Sequence, residues 1–170
     1  MGNPLWAPWR MEYILAPRSR DNPCVFCGVA GAPDEERRER LVLASTPDAF
    51  VILNRYPFAA GHLLVVPHAH AGALEDLEPG THDALFRLVR ETAIRLRRAV
   101  HAEGLYIGVN QGAVAGAGVT EHIHVHVVPR WRGDTNFMPV LAGTRVVPQA
   151  LDDAREQLAR HFADLPGADR

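Results

Sequence analysis

Histidine alternates with a β-branched residue through the run His122-Ile123-His124-Val125-His126-Val127. Side chains on a β-strand point alternately to its two faces, so this period of two predicts a strand that carries all three imidazoles on one face. The β-branched side chains would then face the core. Three imidazoles on one face are costly to explain by packing alone, and we interpret the face as a chemical surface.

The three histidines are too far apart on a straight strand to share one metal ion. A strand rises about 3.3 Å per residue, which places the Cα atoms of His122 and His126 roughly 13 Å apart. Zinc requires ligand nitrogens at about 2.0–2.1 Å, so neighbouring histidines could share an ion but the outer two could not. The three side chains should therefore differ in role. The alternative is a solvated face that carries histidines by chance.

The composition excludes several classes of function. The chain has 170 residues, which favours one domain, and its net charge of -2 without a basic stripe argues against a nucleic-acid partner. All 18 basic residues are arginine, which excludes Schiff-base chemistry and a P-loop lysine. No apolar run approaches the ~20 residues of a membrane span, and the first residues lack the pattern of a signal peptide. Two cysteines in one close pair lead us to expect a cytoplasmic protein.

The hydrophobic pattern predicts five strands and two helices. Short turns join most of the strands, so we expect an α+β domain: a five-stranded antiparallel sheet with one main helix and a C-terminal helix. The predicted strands are Leu41–Ala44, Ala49–Leu53, His62–Pro67, Leu105–Val109 and the histidine run. The predicted helices extend from Thr81 to about Ala102 and from Pro148 or Gln149 to about Phe162.

A loop rich in glycine and alanine, Gly112–Gly118, directly precedes the histidine strand. Such a loop exposes successive backbone N–H groups, which can form an anion-binding nest. An ordinary flexible hairpin is the alternative. The neighbouring histidines favour the anion site.

The segment Cys24-Val25-Phe26-Cys27 has the spacing of half a tetrahedral zinc site. Two further ligands would have to be histidines. A redox motif is a weaker hypothesis, because it normally opens a helix after a strand in a βαβ unit, whereas this pair lies in a proline-flanked N-terminal segment. A simple buried pair of cysteines is the remaining alternative.

Three blocks of this sequence resemble the histidine triad (HIT) family. The family motif, His-φ-His-φ-His-φ-φ with φ apolar, stands here as His122–Val128. The segment Leu53–Pro57, followed by Gly61-His62, resembles the nucleotide-binding strand and loop of the family. Gly108–Gly112 resembles the block before its phosphate loop. The resemblance covers about Cys24 to Arg132.

Further segments resemble the bacterial diadenosine tetraphosphate (Ap4A) phosphorylase-like branch of that family. They are Trp6–Arg10, Pro129–Trp131 and Gly133–Phe137. With them the resemblance extends over most of the chain. It implies a single HIT domain over residues 1–170, on whose core an N-terminal aromatic segment and a C-terminal extension pack. It also implies a homodimer or a higher homo-oligomer.

The resemblance implies chemistry at the α-phosphorus of a nucleotide, with His124 as a nucleophile that forms a nucleotidyl-histidine intermediate. A carbonyl near His122 would hold the other ring nitrogen of His124 as a proton donor. Asn54 would bind the ribose hydroxyls, while Asn110 would support the same site, with Gln111 as a rival for that role. The nucleotide and phosphate ligands that the resemblance implies are Asn54, His62, Asn110, Gly116, Gly118, Val119 and His126.

The sequence departs from the family pattern just before the triad. Many members carry a Ser, Thr or Gln side chain there that reaches the phosphate, and this chain has Gly118 and Val119. The departure weakens the case for a phosphoramidase-type hydrolase. It also leaves space in the site, which we expect an inorganic phosphate to occupy.

For the metal, the resemblance nominates His70 and His122 beside Cys24 and Cys27, with His68 as a possible replacement for His70. Four protein ligands leave no open position, so the zinc would be structural.

We therefore expect a nucleotidyltransferase, an Ap4A phosphorylase whose partners are an adenine dinucleoside polyphosphate and inorganic phosphate. A hydrolase of dinucleoside polyphosphates or adenylyl amidates would use water as the acceptor instead. A nucleotide-sensing module that turns over slowly is a third hypothesis. Four aromatic residues could stack on adenine or line a dimer interface: Trp6, Trp9, Trp131 and Phe137.

Overall fold

Five strands form one antiparallel sheet in the order β1-β2-β3-β5-β4. The computed structural model describes residues 24–29, 32–134 and 150–168. The strands are β1 (Val42–Ser45), β2 (Ala49–Leu53), β3 (Leu63–Pro67), β4 (Gly104–Val109) and β5 (Val125–Arg130). The helices are α1 (Asp34–Glu39), α2 (Pro79–Val100) and α3 (Leu151–Ala159), and short 3-10 turns lie at Leu74–Asp76 and Ala113–Ala115.

The two faces of the sheet carry different layers. One face packs against α2, which buries Leu85, Leu88 and Leu96 on the apolar stripe that the sequence predicts. The opposite face holds a smaller apolar cluster: Phe26, Val29, Val42, Phe50, Leu64 and Val66. Since β5 lies between β3 and β4, His126 is on an interior strand of the sheet, and His122 and His124 directly precede that strand.

The prediction that the whole histidine run is a strand is wrong, because the ladder begins at Val125. The pairing of β3 with β5 ends where Val65 opposes Val125. Beyond it, Pro67 has no N–H for a ladder, and the N–H of Ile123 bonds the carbonyl of Ala71 at 2.7 Å. The alternation itself holds, since Ile123, Val125 and Val127 all lie in the core on the α2 side.

The antiparallel α+β sheet with its main helix is confirmed, and the other element bounds differ by one to three residues at most ends. The C-terminal helix ends at Ala159, earlier than expected, and its predicted start at Pro148 or Gln149 lies outside the described residues. Trp6, Trp9 and Phe137 also lie outside them. Within the described ranges, no helix combines the length and apolarity needed to cross a bilayer.

Candidate active site and metal cluster

One hydrogen bond fixes which ring nitrogen of His124 carries the proton. Its Nδ1 lies 2.9 Å from the carbonyl oxygen of His122. A carbonyl only accepts, so Nδ1 carries the proton and donates it, and Nε2 keeps its lone pair. The family resemblance implies a carbonyl near His122 at this nitrogen, and the structure places the carbonyl of His122 itself there.

The environment of His124 favours its neutral form. The side chain is buried, with 5% of its surface exposed. Burial lowers the pKa of His124, and the hydrogen bond to the His122 carbonyl opposes this shift. Because an ordinary histidine already titrates near pH 6.5, the lowered pKa leaves the imidazole neutral and nucleophilic at pH 7.

His62 and His126 form a hydrogen-bonded pair whose tautomers can be assigned. The backbone N–H of Phe58 donates to Nδ1 of His62 at 3.0 Å, so that nitrogen is an acceptor. Nε2 of His62 must then carry the proton, and it donates to Nδ1 of His126 at 2.9 Å. His126 is thereby left with its proton on Nε2, as a donor. Its ring centroid is 5.0 Å from that of His124.

The structure therefore places His62 behind His126, as a fully buried residue. Asn54 lies against the same ring, with Nδ2 3.3 Å from Nδ1 of His62. Its Oδ1 accepts the N–H of Tyr56 at 3.0 Å, in a turn that shapes the loop before β3. Ribose binding by Asn54 and phosphate binding by His62 rest on the family resemblance and stay predictions.

A second cluster, which we call the metal cluster, consists of Cys24, Cys27, His70 and His122, whose ligand atoms all lie within 4.8 Å of one another. Sγ of Cys24 is 3.3 Å from Nδ1 of His122, and Sγ of Cys27 is 3.2 Å from Nδ1 of His70. Both cysteines are free thiols. Burial, followed by the neighbouring Cys24, raises the pKa of the Cys27 thiol.

The chemistry of this donor set fits a tetrahedral ion. Ligand bonds of about 2.3 Å to sulfur and 2.0–2.1 Å to nitrogen give tetrahedral S···N edges of about 3.6 Å. Three of the S···N distances in the cluster, from Cys24 and Cys27 to His122 and from Cys27 to His70, run from 3.2 to 3.7 Å. In addition, Nε2 of His122 donates to the carbonyl of Pro67 at 2.8 Å, which leaves Nδ1 deprotonated toward the cluster. These four residues could hold a metal.

His68 lies in a different network. Its Nε2 bonds the carbonyl of Thr46 at 2.9 Å and is 3.2 Å from the hydroxyl of Ser45. Its ring stacks on Phe50, with centroids 5.2 Å apart. His68 thus ties β3 to the β1–β2 turn, and His70 is the histidine that the structure brings to the cysteines.

Two residues directly before the glycine loop brace it. Nδ2 of Asn110 donates to the carbonyl of Ala115 at 2.7 Å, next to Gly116, whose φ of +85° suits glycine. Gln111 instead joins the loop to the 3-10 turn after β3, because its amide bonds Glu75 and accepts the N–H of Leu74. Asn110 is therefore the residue that supports the loop internally. Phosphate binding by Gly116, Gly118 and Val119 stays a prediction.

Three aromatic residues have positions that the sequence did not indicate. Phe26 contacts His122 and His124, and Phe58 stacks on His62 with centroids 4.9 Å apart. Nε1 of Trp131 donates to the carbonyls of Val100 and His101 at the end of α2. Trp131 thus caps a helix here. No periodic or motif signal marks Phe26 or Phe58, because each lies in a loop whose path is set by its neighbours.

The fold and these contacts define an α+β domain in which one His-rich segment carries both a buried imidazole with an unprotonated Nε2 and a cluster that could hold a metal. A family model described as the HIT domain matches residues 35–133. The chain belongs to the histidine triad family.

Relatives of several activities share this domain. The chain is 38% identical over 169 residues to the AP-4-A phosphorylase of Mycobacterium tuberculosis, covering 95% of this chain and 85% of that protein. It is 31% identical over 151 residues to the adenylylsulfatase HINT3 of Arabidopsis thaliana, covering 85% of this chain and 72% of that protein. The crystal structure of a Zn-bound histidine triad family protein from Mycobacterium smegmatis superposes with a TM-score of 0.66 at 30% identity, covering 84% of this chain and 95% of that one.

Proposed function

We propose that this protein is a nucleotidyltransferase that acts as an Ap4A phosphorylase, converting Ap4A and inorganic phosphate to ADP and ATP. The observation that carries the proposal is the bond from Nδ1 of His124 to the His122 carbonyl, which leaves Nε2 as a nucleophile. The choice of substrate and acceptor is supported by the 38% identity to the mycobacterial AP-4-A phosphorylase.

In the first step Nε2 of His124 attacks an α-phosphorus of Ap4A. A P–N bond forms, and the P–O bond to the rest of the chain breaks, so that ATP leaves with the electron pair. Charge on the phosphoryl oxygens needs preorganised donors, and Nε2–H of His126 is one that the His62 contact prepares. Backbone N–H groups of the glycine loop would be others.

In the second step an oxygen of inorganic phosphate attacks the adenylyl phosphorus. The P–N bond breaks, its electron pair returns to Nε2 of His124, and ADP is released. Water as the acceptor would give AMP instead. Gly118 and Val119 lack the polar side chain that many family members carry there, and the space this leaves beside the adenylyl group favours the larger acceptor.

The test is incubation of the purified protein with Ap4A, with and without phosphate labelled with ³²P. We expect ADP and ATP only when phosphate is present, with the label in the β-phosphate of ADP. Formation of AMP and ATP independently of phosphate would show that the protein is a hydrolase and not a phosphorylase. No turnover of Ap4A would reject both, and adenylyl amidates would then be the next substrates to examine.

The contact between His62 and His126 predicts a second result. Replacing His62 with phenylalanine keeps a ring but removes the donor that sets the tautomer of His126, so we expect kcat to fall about 10²-fold. A glutamine at the same position can still donate an amide proton to Nδ1 of His126. The kcat of this variant should therefore lie between those of the wild type and the phenylalanine variant. Steady-state kinetics check the order. Equal kcat values for the phenylalanine and glutamine variants would contradict the tautomer role.

We also propose that the metal cluster holds zinc. Two thiols and two imidazoles are ligands that zinc prefers, and their four contacts leave no open coordination position. The zinc would be structural, tying the cysteine turn to the segment that leads into β5. A cytoplasmic location, where thiols are kept reduced and able to bind zinc, is part of this proposal.

A homodimer stays a prediction. The edge strand β4 offers a surface for it, since Tyr106 and Ile107 are 55% and 46% exposed. Light scattering on the purified protein would measure its mass in solution and so test for the dimer.

A further inference from the structure

Phe26 lies between the two cysteines and contacts two members of the triad. Its ring centroid is 5.4 Å from that of His122, in an edge-to-face arrangement at 74°. It is 5.2 Å from the ring of His124, tilted by 52°. These separations fall within the range at which aromatic rings attract each other. One buried side chain therefore joins the metal cluster to the nucleophile.

The backbone on both sides of Phe26 is held by the metal cluster. Cys24 and Cys27 contact His122 and His70, and the N–H of Cys27 bonds the carbonyl of Cys24 at 3.0 Å. This closes a tight turn that presents the intervening side chain to the sheet. Only 8% of Phe26 is exposed, so the ring has little freedom to move while the turn is closed.

The surroundings of the ring fix it further. Phe26 belongs to the apolar cluster on the triad face of the sheet, together with Phe50 and Leu64. Leu64 is paired with His126 across the β3–β5 ladder. Val119, from the end of the glycine loop, packs against the same cluster. Phe26 thus belongs to an apolar layer that reaches the end of the glycine loop.

His124 needs such a support. Its single described hydrogen bond, from Nδ1 to the His122 carbonyl, restrains one ring atom, but rotation about the Cβ–Cγ bond changes the direction of Nε2. In-line attack on phosphorus requires that direction to be correct, and misplacement by about 1 Å can cost about 10² in rate. A ring packed against the imidazole limits this rotation.

We propose that Phe26 is a positioning residue: it is held by the cysteine turn and keeps the imidazole of His124 aimed for attack on the nucleotide phosphorus. The proposal rests on the proposed nucleotidyl transfer. It predicts that the catalytic rate depends on the aromatic ring at position 26 even when the metal cluster is full and the protein is stable.

The test compares Phe26→Leu and Phe26→Ala with Val25→Ala in the metal-loaded protein. Val25 lies in the same turn but is 58% exposed, so its truncation is the matched control. Three quantities are measured for each: metal per chain, Tm, and the single-turnover rate of adenylyl transfer to His124 together with KM. We expect Phe26→Leu to keep the metal and to lower the rate about 10-fold or more at an unchanged KM, and Phe26→Ala to lower it further.

A spectroscopic readout separates positioning from folding and from the proposed function. The Nδ1–H proton of His124 and the Nε2–H proton of His122 are both hydrogen-bonded to carbonyls, so each should give a resolved ¹H–¹⁵N signal. Phe26→Leu should broaden or remove the His124 signal and retain that of His122, while Val25→Ala retains both. These signals can be read even if Ap4A is not the substrate.

Two results would overturn the proposal. In one, Phe26→Leu keeps the His124 signal and the wild-type rate. In the other, both signals and the metal are lost together, and the rate falls only in proportion to the metal. The second result would make Phe26 a structural part of the cysteine turn and nothing more. Absence of any adenylyl transfer in the wild type would instead reject the proposed function, and the signals alone would then decide the role of Phe26.

Discussion

Replacing His124 with asparagine is expected to lower kcat by at least about 10⁴-fold. Asparagine can still bond the carbonyl of His122 and nearly fill the site, but it has no ring nitrogen to attack phosphorus. The first displacement is then lost altogether, and no adenylyl-protein forms. The measurement is kcat with Ap4A and phosphate, together with mass spectrometry of protein quenched at high pH during turnover.

His101→Asn is the matched control for this change. His101 is exposed and ends α2 with a φ of +51°, a left-handed conformation that asparagine tolerates. It should keep full activity and form the adduct. An adduct on the His124→Asn protein, or activity above about one per cent of the wild type, would show that another residue is the nucleophile.

Loss of the metal ligands is expected to have the largest effect on stability. Replacing Cys24 with serine should abolish metal binding and lower Tm by about 10 °C or more. A ligand present at about 1,000 times its Kd stabilises by about 4 kcal/mol, and 1 kcal/mol corresponds to about 2–4 °C for a chain of this size. Calorimetry and metal analysis measure both quantities. Activity should fall as well, because His122 supplies both a ligand atom and the carbonyl that holds His124.

A pair of histidine variants tests which residue completes the cluster. His70→Asn should lose the metal, since Nδ1 of His70 is 3.2 Å from Sγ of Cys27. His68→Asn should retain it, because His68 bonds Thr46 and Ser45. Retention of metal by the His70 variant and its loss in the His68 variant would reverse the assignment. If the wild-type protein keeps the same Tm after its metal is removed, the metal has no structural role.

Much of the fold was predictable because the periodicity of apolar residues is a local property. The main helix shows it at Leu85, Leu88 and Leu96, which are buried, and the alternation through Ile123 and Val125 gave the correct faces. The start of β5 was not predictable in the same way. It depends on where β3 stops offering partners, at Pro67, and on a bond from Ile123 to Ala71.

The candidate site, like the fold, was predictable where its features depend on local sequence and not where they depend on contacts between distant residues. Spacing and residue type were sufficient to predict that His122 and His124 lie in different surroundings, because a single ion cannot bridge the outer histidines of a straight strand, and the structure places only His122 in the metal cluster. Which histidine joins the cysteines is a question of long-range geometry, since Cys27 and His70 are 43 positions apart. The tautomers of His62 and His126 depend on a backbone N–H at Phe58 and on strand pairing.

The sequence by itself determined the chemical class of this protein. The alternating triad, the cysteine pair and the glycine loop are recognised by residue type and close spacing, and both can be read from the sequence without knowledge of the fold. Only the tertiary structure decided how these parts are arranged: the carbonyl that bonds His124, the buried His62 behind His126, and the ring of Phe26 between the metal cluster and His124. The physical reason is that hydrogen bonds and ring contacts depend on distances of a few ångströms between residues far apart in the chain, and only packing sets those distances.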